Sequence, residues 1–498
     1  MFYTSTRDNS IRVTASKAIA DGISKEGGLY IPESIPALSM DEIKALCSAD
    51  YKERAKKVLG LYLTDFTDEE LSYCVEGAYA DGKFLSKAVA PVVKLHDNVS
   101  ILELFQGPTC AFKDMALQIL PYLLTVSAKK NLKDKEIVIL VATSGDTGKA
   151  ALEGFKDVEG TKILVFYPVD GVSPMQKLQM TTQEGANVGV CAIEGNFDDA
   201  QTGVKSIFTN QEILKKFEEN NLVFSSANSI NWGRLAPQIV YYVSAYCDMV
   251  NSGDVKLGDP INIVVPTGNF GNILAAYFAK EMGVPVNKLI CASNANNVLT
   301  DFINTGVYDR NRSFFATTSP SMDILISSNL ERLLYILCGR DDKVINEWFS
   351  SLKQTGKYTV SADVKDQISS LFAAGCCDDE QTKKTIGETY KSFDYLADTH
   401  TSVGINVCNA YINASGDKTP VVVASTASPF KFSKAVLSAV ETEPKEYADE
   451  FSTVKALEEI SGLTAPEQLS ALKGKAVRFT KVTSKDDMAA VVFDMLGI

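Results

Sequence analysis

Short β-branched runs alternate with longer helical patterns and meet them at glycine-rich turns, and this restricts the fold more than any other feature of the chain. Such alternation specifies a parallel α/β sheet. The strand-like runs are Ser100–Phe105, Glu136–Ala142, Lys162–Tyr167, Ile261–Pro266, Lys288–Ala292 and Pro420–Ala424. Helical patterns follow several of them, at Phe112–Leu124, Thr147–Lys156 and Asn272–Met282. The first ninety or so residues read differently. Met40–Leu46 and Asp68–Tyr79 are helical in pattern and Gly27–Pro36 is an extended connector, so we expect a separate N-terminal unit. Gly339–Asp398 is charged and mostly helical in pattern, and is expected to decorate the sheet.

Ligands of open parallel sheets bind beyond the carboxyl ends of the strands. Three junctions carry polar or glycine-rich loops there. In Ile101-Leu-Glu-Leu-Phe-Gln-Gly-Pro-Thr-Cys-Ala-Phe-Lys113-Asp114, the lysine falls at a helix start. A helix dipole disfavours a cation there, which lowers the lysine pKa and favours the nucleophilic amine. Alone, Lys113 reads better as a solvated lysine of a first turn. In Thr143-Ser-Gly-Asp-Thr-Gly-Lys149, the glycines admit a ligand to the backbone while Ser144 and Thr147 offer hydroxyls. The loop is no P-loop, because Thr143 and Ala150 stand where Gly and Ser or Thr are needed. A tight turn with a helix cap would explain its glycines equally well. In Thr267-Gly-Asn-Phe-Gly-Asn272, successive N–H groups at a helix start suit a phosphate. GxGxxG is absent and Lys288 stands where an acidic ribose partner is expected about 20 residues on, so a dinucleotide is not indicated. A turn that merely packs is the rival reading.

Composition removes several other classes. With a net charge of −13, the chain lacks the clustered Lys and Arg that a nucleic-acid partner requires. The ten cysteines include no CxxC pair and suggest no disulfide framework. Two histidines, His96 and His400, leave no visible zinc cluster, so no metal is expected. His400 reads as a hydrogen-bonded structural residue and His96 as surface. No apolar stretch approaches the roughly 18 residues of a membrane span. The N-terminus shows no secretory pattern, so the cytoplasm is the expected compartment. A lysine, a phosphate cradle and a second polar loop together meet the needs of pyridoxal 5′-phosphate: an amine for its aldehyde, donors for its phosphate and a partner for its ring nitrogen.

The same residues resemble those of the threonine synthase family. Phe112-Lys113-Asp114 resembles its Schiff-base motif and Thr143–Gly148 its substrate loop. Gly195-Asn-Phe-Asp-Asp-Ala-Gln201, Asn228-Ser-Ile-Asn-Trp-Gly-Arg234 and Ser319-Pro-Ser-Met-Asp-Ile324 are similar too. The likeness runs from Thr4 almost to the C-terminus, as in the family's longer form. It implies an α/β, tryptophan-synthase-β-like (fold type II) enzyme: an N-terminal unit over 1–90, a large cofactor-binding domain over 91–130 and 226–498, and a small α/β domain over 131–225. Lys113 would carry the cofactor, Gly268, Asn269, Phe270, Gly271 and Asn272 would hold its phosphate, and Thr426 would hydrogen-bond the ring nitrogen. Ser144, Asp146 and Thr147 would grip the substrate, though Asp146 is as well read as a helix cap. Lys149 and Arg234 are candidates to neutralise a substrate phosphate, a structural or surface role being the commoner fate of each. The sequence departs from the family at Ser428, where His is expected, and at Asn297, where Asp is expected. The implied reaction converts O-phospho-L-homoserine and water to L-threonine and phosphate, in a monomer or homodimer. The alternatives are a phospho-lyase that releases 2-oxobutyrate and a non-catalytic binding protein of the same fold.

Overall fold

The computed structural model describes residues 1–498 except Asp134, Ser144, Gly171 and Pro444, and of Phe197 and Asp198 only the backbone. Among the described residues the strands form four sheets. The largest has the order Phe372–Cys376, Val286–Ser293, Ile261–Pro266, Val421–Ser425, Val99–Glu103, Val92–His96. All neighbours are parallel except the last pair, which is antiparallel. A second sheet, wholly parallel, runs Val482–Thr483, Val188–Ile193, Thr161–Pro168, Glu136–Ala142, Leu222–Ser225. The inner strands Ile261–Pro266 and Glu136–Ala142 are buried, the latter except at its two ends, and read as nearly continuous Val/Ile runs, as strands covered on both faces do. Every expected strand is present, within one or two residues.

Two elements differ from the sequence reading. The helix expected over Phe112–Leu124 is broken into Asp114–Leu117 and Leu120–Asn131. Pro121 stands in the first turn of the second piece, where its missing N–H is harmless but a continuous helix is not possible. Within 339–398, Phe372–Cys376 is an edge strand of the large sheet and not a decoration. Its sequence, Phe-Ala-Ala-Gly-Cys, has little strand propensity, and pairing with Val286–Ser293 places it. The N-terminal residues pack closely on the rest of the chain. Tyr3 and Tyr62 meet Trp232 at ring-centroid distances of 5.5 Å each, and Trp232 meets Phe278 at 5.4 Å, so that unit shares one core with the large sheet's helices.

The chain's far end returns to the second sheet. Val482 and Thr483 pair with Ala192 and Ile193, and the Met488–Leu496 helix buries Met488, Val491 and Val492 against that sheet's apolar face. The sequence reading had grouped 226–498 with the large sheet. No helix among the described residues is long and apolar enough to cross a membrane.

Candidate active site

Lys113 follows the Val99–Glu103 strand through a loop that its own neighbour locks. The buried Asp114 carboxylate accepts from Thr109 N at 2.8 Å and Thr109 Oγ1 at 2.7 Å. Gly107 is obligatory beside it, since a Cβ there would lie 2.5 Å from the Asp114 Cβ. Lys113 is 8% exposed, and its Nζ lies 3.0 Å from Ser321 Oγ and 3.4 Å from Asp146 Oδ2. Its pKa is lowered. Burial is the main cause, Asp146 opposes it, and the cations Lys431 and Arg234 add to it. The expected dipole effect is small, because the helix that Lys113 opens has only the four residues Asp114–Leu117. Desolvation and like charge do the work expected of the dipole.

The second loop ends the Glu136–Ala142 strand. Thr143 Oγ1 accepts from the N–H groups of Gly145 at 3.0 Å and Gly148 at 2.9 Å, closing the turn. Gly145 has φ +138°, and a Cβ on it would lie 2.4 Å from Gln176. Asp146 is not a helix cap; Gly145 takes that position. Its buried carboxylate is bound by Lys431 Nζ at 2.7 Å, Gln176 Nε2 at 2.9 Å and Lys113. Burial alone would raise its pKa, but Lys431 and Lys113 hold it well below the usual carboxylate range. Thr147 is half-buried in the first turn of the Asp146–Phe155 helix. Ser144, expected beside it, lies outside the described residues. Lys149 is committed elsewhere, to Glu153 at 2.7 Å and Gln183 at 2.5 Å.

The third loop joins the Ile261–Pro266 strand to the Gly271–Glu281 helix. Phe270 sits at φ +64°, which turns the chain into the helix at the cost of a strained non-glycine conformation. The N–H groups of residues 268–272 make no hydrogen bond among the described residues. The carbonyls of Gly268 and Asn269 are spent on Ser327 and Asn329. Asn272 is buried; its Oδ1 accepts from Tyr241 OH at 2.7 Å and Tyr242 OH at 2.5 Å, while its Nδ2 has no partner among the described residues. A run of unspent donors with one orphaned amide is a fitting bed for a phosphate.

Ser321 ties the loops together. Its hydroxyl meets Lys113 and lies 3.4 Å from Asp146, its N–H donates to His400 Nε2 at 3.2 Å, and its carbonyl lies 2.7 Å from where a Cβ on Gly268 would stand. His400 Nδ1 meets Asp398 at 2.8 Å, so the histidine is a hydrogen-bonded structural element, as expected. Thr426 follows the Val421–Ser425 strand, and its carbonyl accepts from Phe112 N at 2.8 Å, which sets its 5%-exposed side chain beside the lysine loop. Ser428 caps the turn after it, donating its N–H to Cys110 O at 3.0 Å. Asn297 accepts from Arg312 at 3.1 Å. The sequence reading missed Ser321, Gln176 and Lys431, and gave Lys431 no role although it lies in the segment quoted around Thr426. Among the described residues no group of metal-ligating side chains is assembled.

Family models match in succession along the chain: "Threonine synthase N terminus" over residues 2–79, "Pyridoxal-phosphate dependent enzyme" over 90–346 and "Threonine synthase, C-terminal" over 401–492. Threonine synthase of Pseudomonas aeruginosa is 40% identical over 444 residues, 88% of this chain and 90% of that one. The chain belongs to the threonine synthase family. Threonine synthase of Saccharomyces cerevisiae is 37% identical over 88% of this chain and 89% of that one. Threonine synthase-like 1 of Homo sapiens is 41% identical over 85% of this chain, but the match spans only 58% of that longer protein. The crystal structure of pyridoxal-phosphate-bound threonine synthase from Brucella melitensis superposes with a TM-score of 0.88 at 36% identity, covering 99% of both chains. The yeast threonine synthase structure gives 0.89 at 32%, covering 100% of this chain and 99% of that one. The fold is that of the fold type II pyridoxal-phosphate enzymes, and the cofactor is pyridoxal 5′-phosphate, both as the sequence implied.

Proposed function

We propose that this chain converts O-phospho-L-homoserine and water to L-threonine and phosphate, the last step of threonine biosynthesis. The observation that carries the reading is the buried Lys113, its pKa lowered by burial, in one site with a bed of unspent donors, in a chain similar to threonine synthases over most of its length. When bound, the cofactor supplies an electron sink that makes protons at Cα and Cβ of the attached amino acid removable. The chain supplies the rest. Gly268, Asn269, Phe270, Gly271 and Asn272 hold the cofactor phosphate through their N–H groups and Asn272 Nδ2. The Thr426 hydroxyl would hydrogen-bond the ring nitrogen. Lys113 Nζ would take the protons from Cα and Cβ in turn, phosphate would leave Cγ as the Cβ–H electron pair becomes a Cβ–Cγ double bond, and a proton would return to Cγ. Water would then add its hydroxyl at Cβ while a proton returns to Cα and the remaining proton of the water leaves with phosphate. The ammonium formed in between is stabilised by Asp146 at 3.4 Å and oriented by Ser321 at 3.0 Å. Asp146, Thr147 and Ser144 are the residues we assign to gripping the substrate. The compartment we assign is the cytoplasm, with the chain acting as monomer or homodimer and with no nucleic-acid partner.

A second reading keeps the same machinery but stops at elimination and releases 2-oxobutyrate. Product analysis separates the two. Wild type and Lys113→Ala are given O-phospho-L-homoserine, and phosphate, threonine and 2-oxobutyrate are measured. Threonine from wild type, lost by on the order of 10⁴-fold or more in Lys113→Ala, is the expected result. Phosphate with 2-oxobutyrate selects the lyase. No turnover by cofactor-loaded wild type rules out both.

A further inference from the structure

A cleft of about 430 Å³, within the size range of small-molecule pockets, opens at the far ends of the two helices that begin at Lys113 and Asp146. Four distant stretches of chain line it. They bring Lys83, then Gln118 just past the Asp114–Leu117 helix, then Glu153, Gly154 and Asp157 at the end of the Asp146–Phe155 helix, and finally Gln468. Gln118 is 2% exposed, yet its Nε2 has no hydrogen-bond partner among the described residues. Gln468 Oε1 is buried and equally without one. Lys83, half-buried, spends one N–H on Gly77 O at 2.7 Å and makes no ion pair among the described residues. Its pKa is lowered, chiefly by burial, with Glu153 opposing. Glu153 uses Oε2 on Lys149 and Gln183, and Asp157 uses Oδ1 on the Ala186 N–H; the other oxygen of each has no partner among the described residues. Buried polar atoms left unpaired are costly, and a cavity that keeps both a donor and an acceptor in that state suits a polar occupant.

The unspent groups say what that occupant is. An ammonium and an amide N–H group, from Lys83 and Gln118, call for an anionic oxygen. An amide oxygen and two carboxylate oxygens, from Gln468, Glu153 and Asp157, call for a donor, best a cationic one. A phosphate or a dicarboxylate answers the first demand and is repelled by the second. We propose that the cleft is a second ligand site that takes a free α-amino acid, its carboxylate on Lys83 and Gln118 and its ammonium toward Gln468, Glu153 and Asp157. The site is placed to reach the catalytic one. A Cβ on Gly154 would lie 1.9 Å from Leu117 O, so the Asp146–Phe155 helix is seated directly on the helix that Lys113 opens. The same two elements meet at one end through Lys113 and Asp146 and at the other across the cleft. A molecule wedged between them restricts their angle and thereby couples to the lysine. The inference does not depend on which reaction the lysine performs.

The test uses the full, cofactor-loaded chain. The standard L-amino acids are offered singly in calorimetry, and cofactor affinity is read from visible absorbance with and without each. One or a few are expected to bind, and Gln118→Leu and Lys83→Gln are each expected to weaken that binding by roughly ten- to a hundredfold. The bound amino acid is expected to change cofactor affinity by about fivefold or more in wild type and not in Gln118→Leu. Gln118→Leu removes an orphaned amide and is expected to melt no lower than wild type; Lys83→Gln, at a half-exposed position, decides alone should it fail to fold. No binding by any amino acid reduces the cleft to a water-filled one and overturns the proposal. Binding that survives both substitutions belongs to the cofactor's own site and overturns it too. Equal binding of the matching 2-oxo acid or amine shows that only one end of the ligand is read and removes the amino-acid assignment. Binding lost in both variants but without effect on cofactor affinity keeps the site and sinks the coupling. No step measures turnover, so failure of this site and failure of the proposed reaction are told apart.

Discussion

The wall of the site built from Gly268–Asn272 carries neutral donors with few partners, whereas the wall built from Lys113, Asp146 and Lys431 carries charges that already answer one another. The first is a single local motif, a strand end and a helix start contiguous in sequence. The second is assembled from three distant segments, and two of its members, Asp146 and Lys431, come from different sheets. Under the proposed function, the difference separates two tasks. Holding a phosphate needs donors left free for it, so the donor wall is unsatisfied on its own. Setting the proton affinity of an amine needs a fixed field, so the charged wall is satisfied internally and rigid. Changes to the charged wall should therefore be large and pH-dependent, and changes to the donor wall small and visible mainly in cofactor affinity.

The largest effect is expected from Lys431→Met. Lys431 is wholly buried, and its loss leaves the Asp146 carboxylate with Gln176, Lys113 and the Ser321 hydroxyl but no second cation. Breaking one side of a buried pair costs about 3–5 kcal/mol, measurable by urea titration. Lys431 also depresses the pKa of Lys113, so its removal lets that amine keep its proton to higher pH. The acidic limb of the pH–activity profile should move upward. A variant with an unmoved limb would show that the two walls do not divide the work in this way.

Asp114→Asn comes next and tests whether the field extends behind the lysine. Burial is the chief cause that raises the Asp114 carboxyl to about 6, against the pull of the Thr109 hydrogen bonds and of Lys431. A carboxyl whose folded pKa is raised contributes stability that is fully present below its ordinary pKa of about 3.9 and is lost as pH rises through about 6. The wild type should therefore lose up to roughly 3 kcal/mol relative to Asp114→Asn across that window. Denaturant melts at a series of pH values read the difference directly, and parallel curves would mean that Asp114 lies outside the field.

The two walls also differ in how far the sequence betrays them. The donor wall was legible because its chemistry is local: Gly268, Phe270 and Asn272 stand within five residues, and glycines at a strand end announce a backbone-lined site. Lys113 and the loop closed by Thr143 were singled out by position, but position alone favoured a solvated lysine for the first and explained the second equally well as a capped turn; only their conjunction and the family resemblance raised them. Lys431, Ser321 and Gln176 were not legible, since a lone lysine, serine or glutamine carries no period and no turn signal. Ser321 reaches Lys113 from 208 positions away, a proximity that only the packed sheets create. The edge strand Phe372–Cys376 failed to show for the same reason, its placement owing more to its neighbour than to its own residues. The break before Leu120 was readable, because Pro121 forbids the continuous helix that the apolar pattern suggested.

The smallest expected effect belongs to the donor wall and is the sharpest check on the comparison. Gly271 has no positive φ, and a Cβ on it would meet Ser229 Cβ at 3.4 Å, Asn329 Nδ2 at 3.5 Å and Gln238 Nε2 at 3.7 Å, all ordinary contacts. Gly271→Ala should thus change stability by no more than about 1 kcal/mol and in the favourable direction, because alanine restricts the unfolded chain. The methyl lies on the Ser229 side of the turn and deletes none of the N–H groups of 268–272, so cofactor affinity should fall little and the pH profile not at all. Gly268 is the counter-case, where a Cβ would lie 2.7 Å from the carbonyl of Ser321, the residue that touches Lys113. If Gly271→Ala shifts the acidic limb of activity, the donor wall reaches the lysine by some route other than Ser321, and the separation of tasks fails.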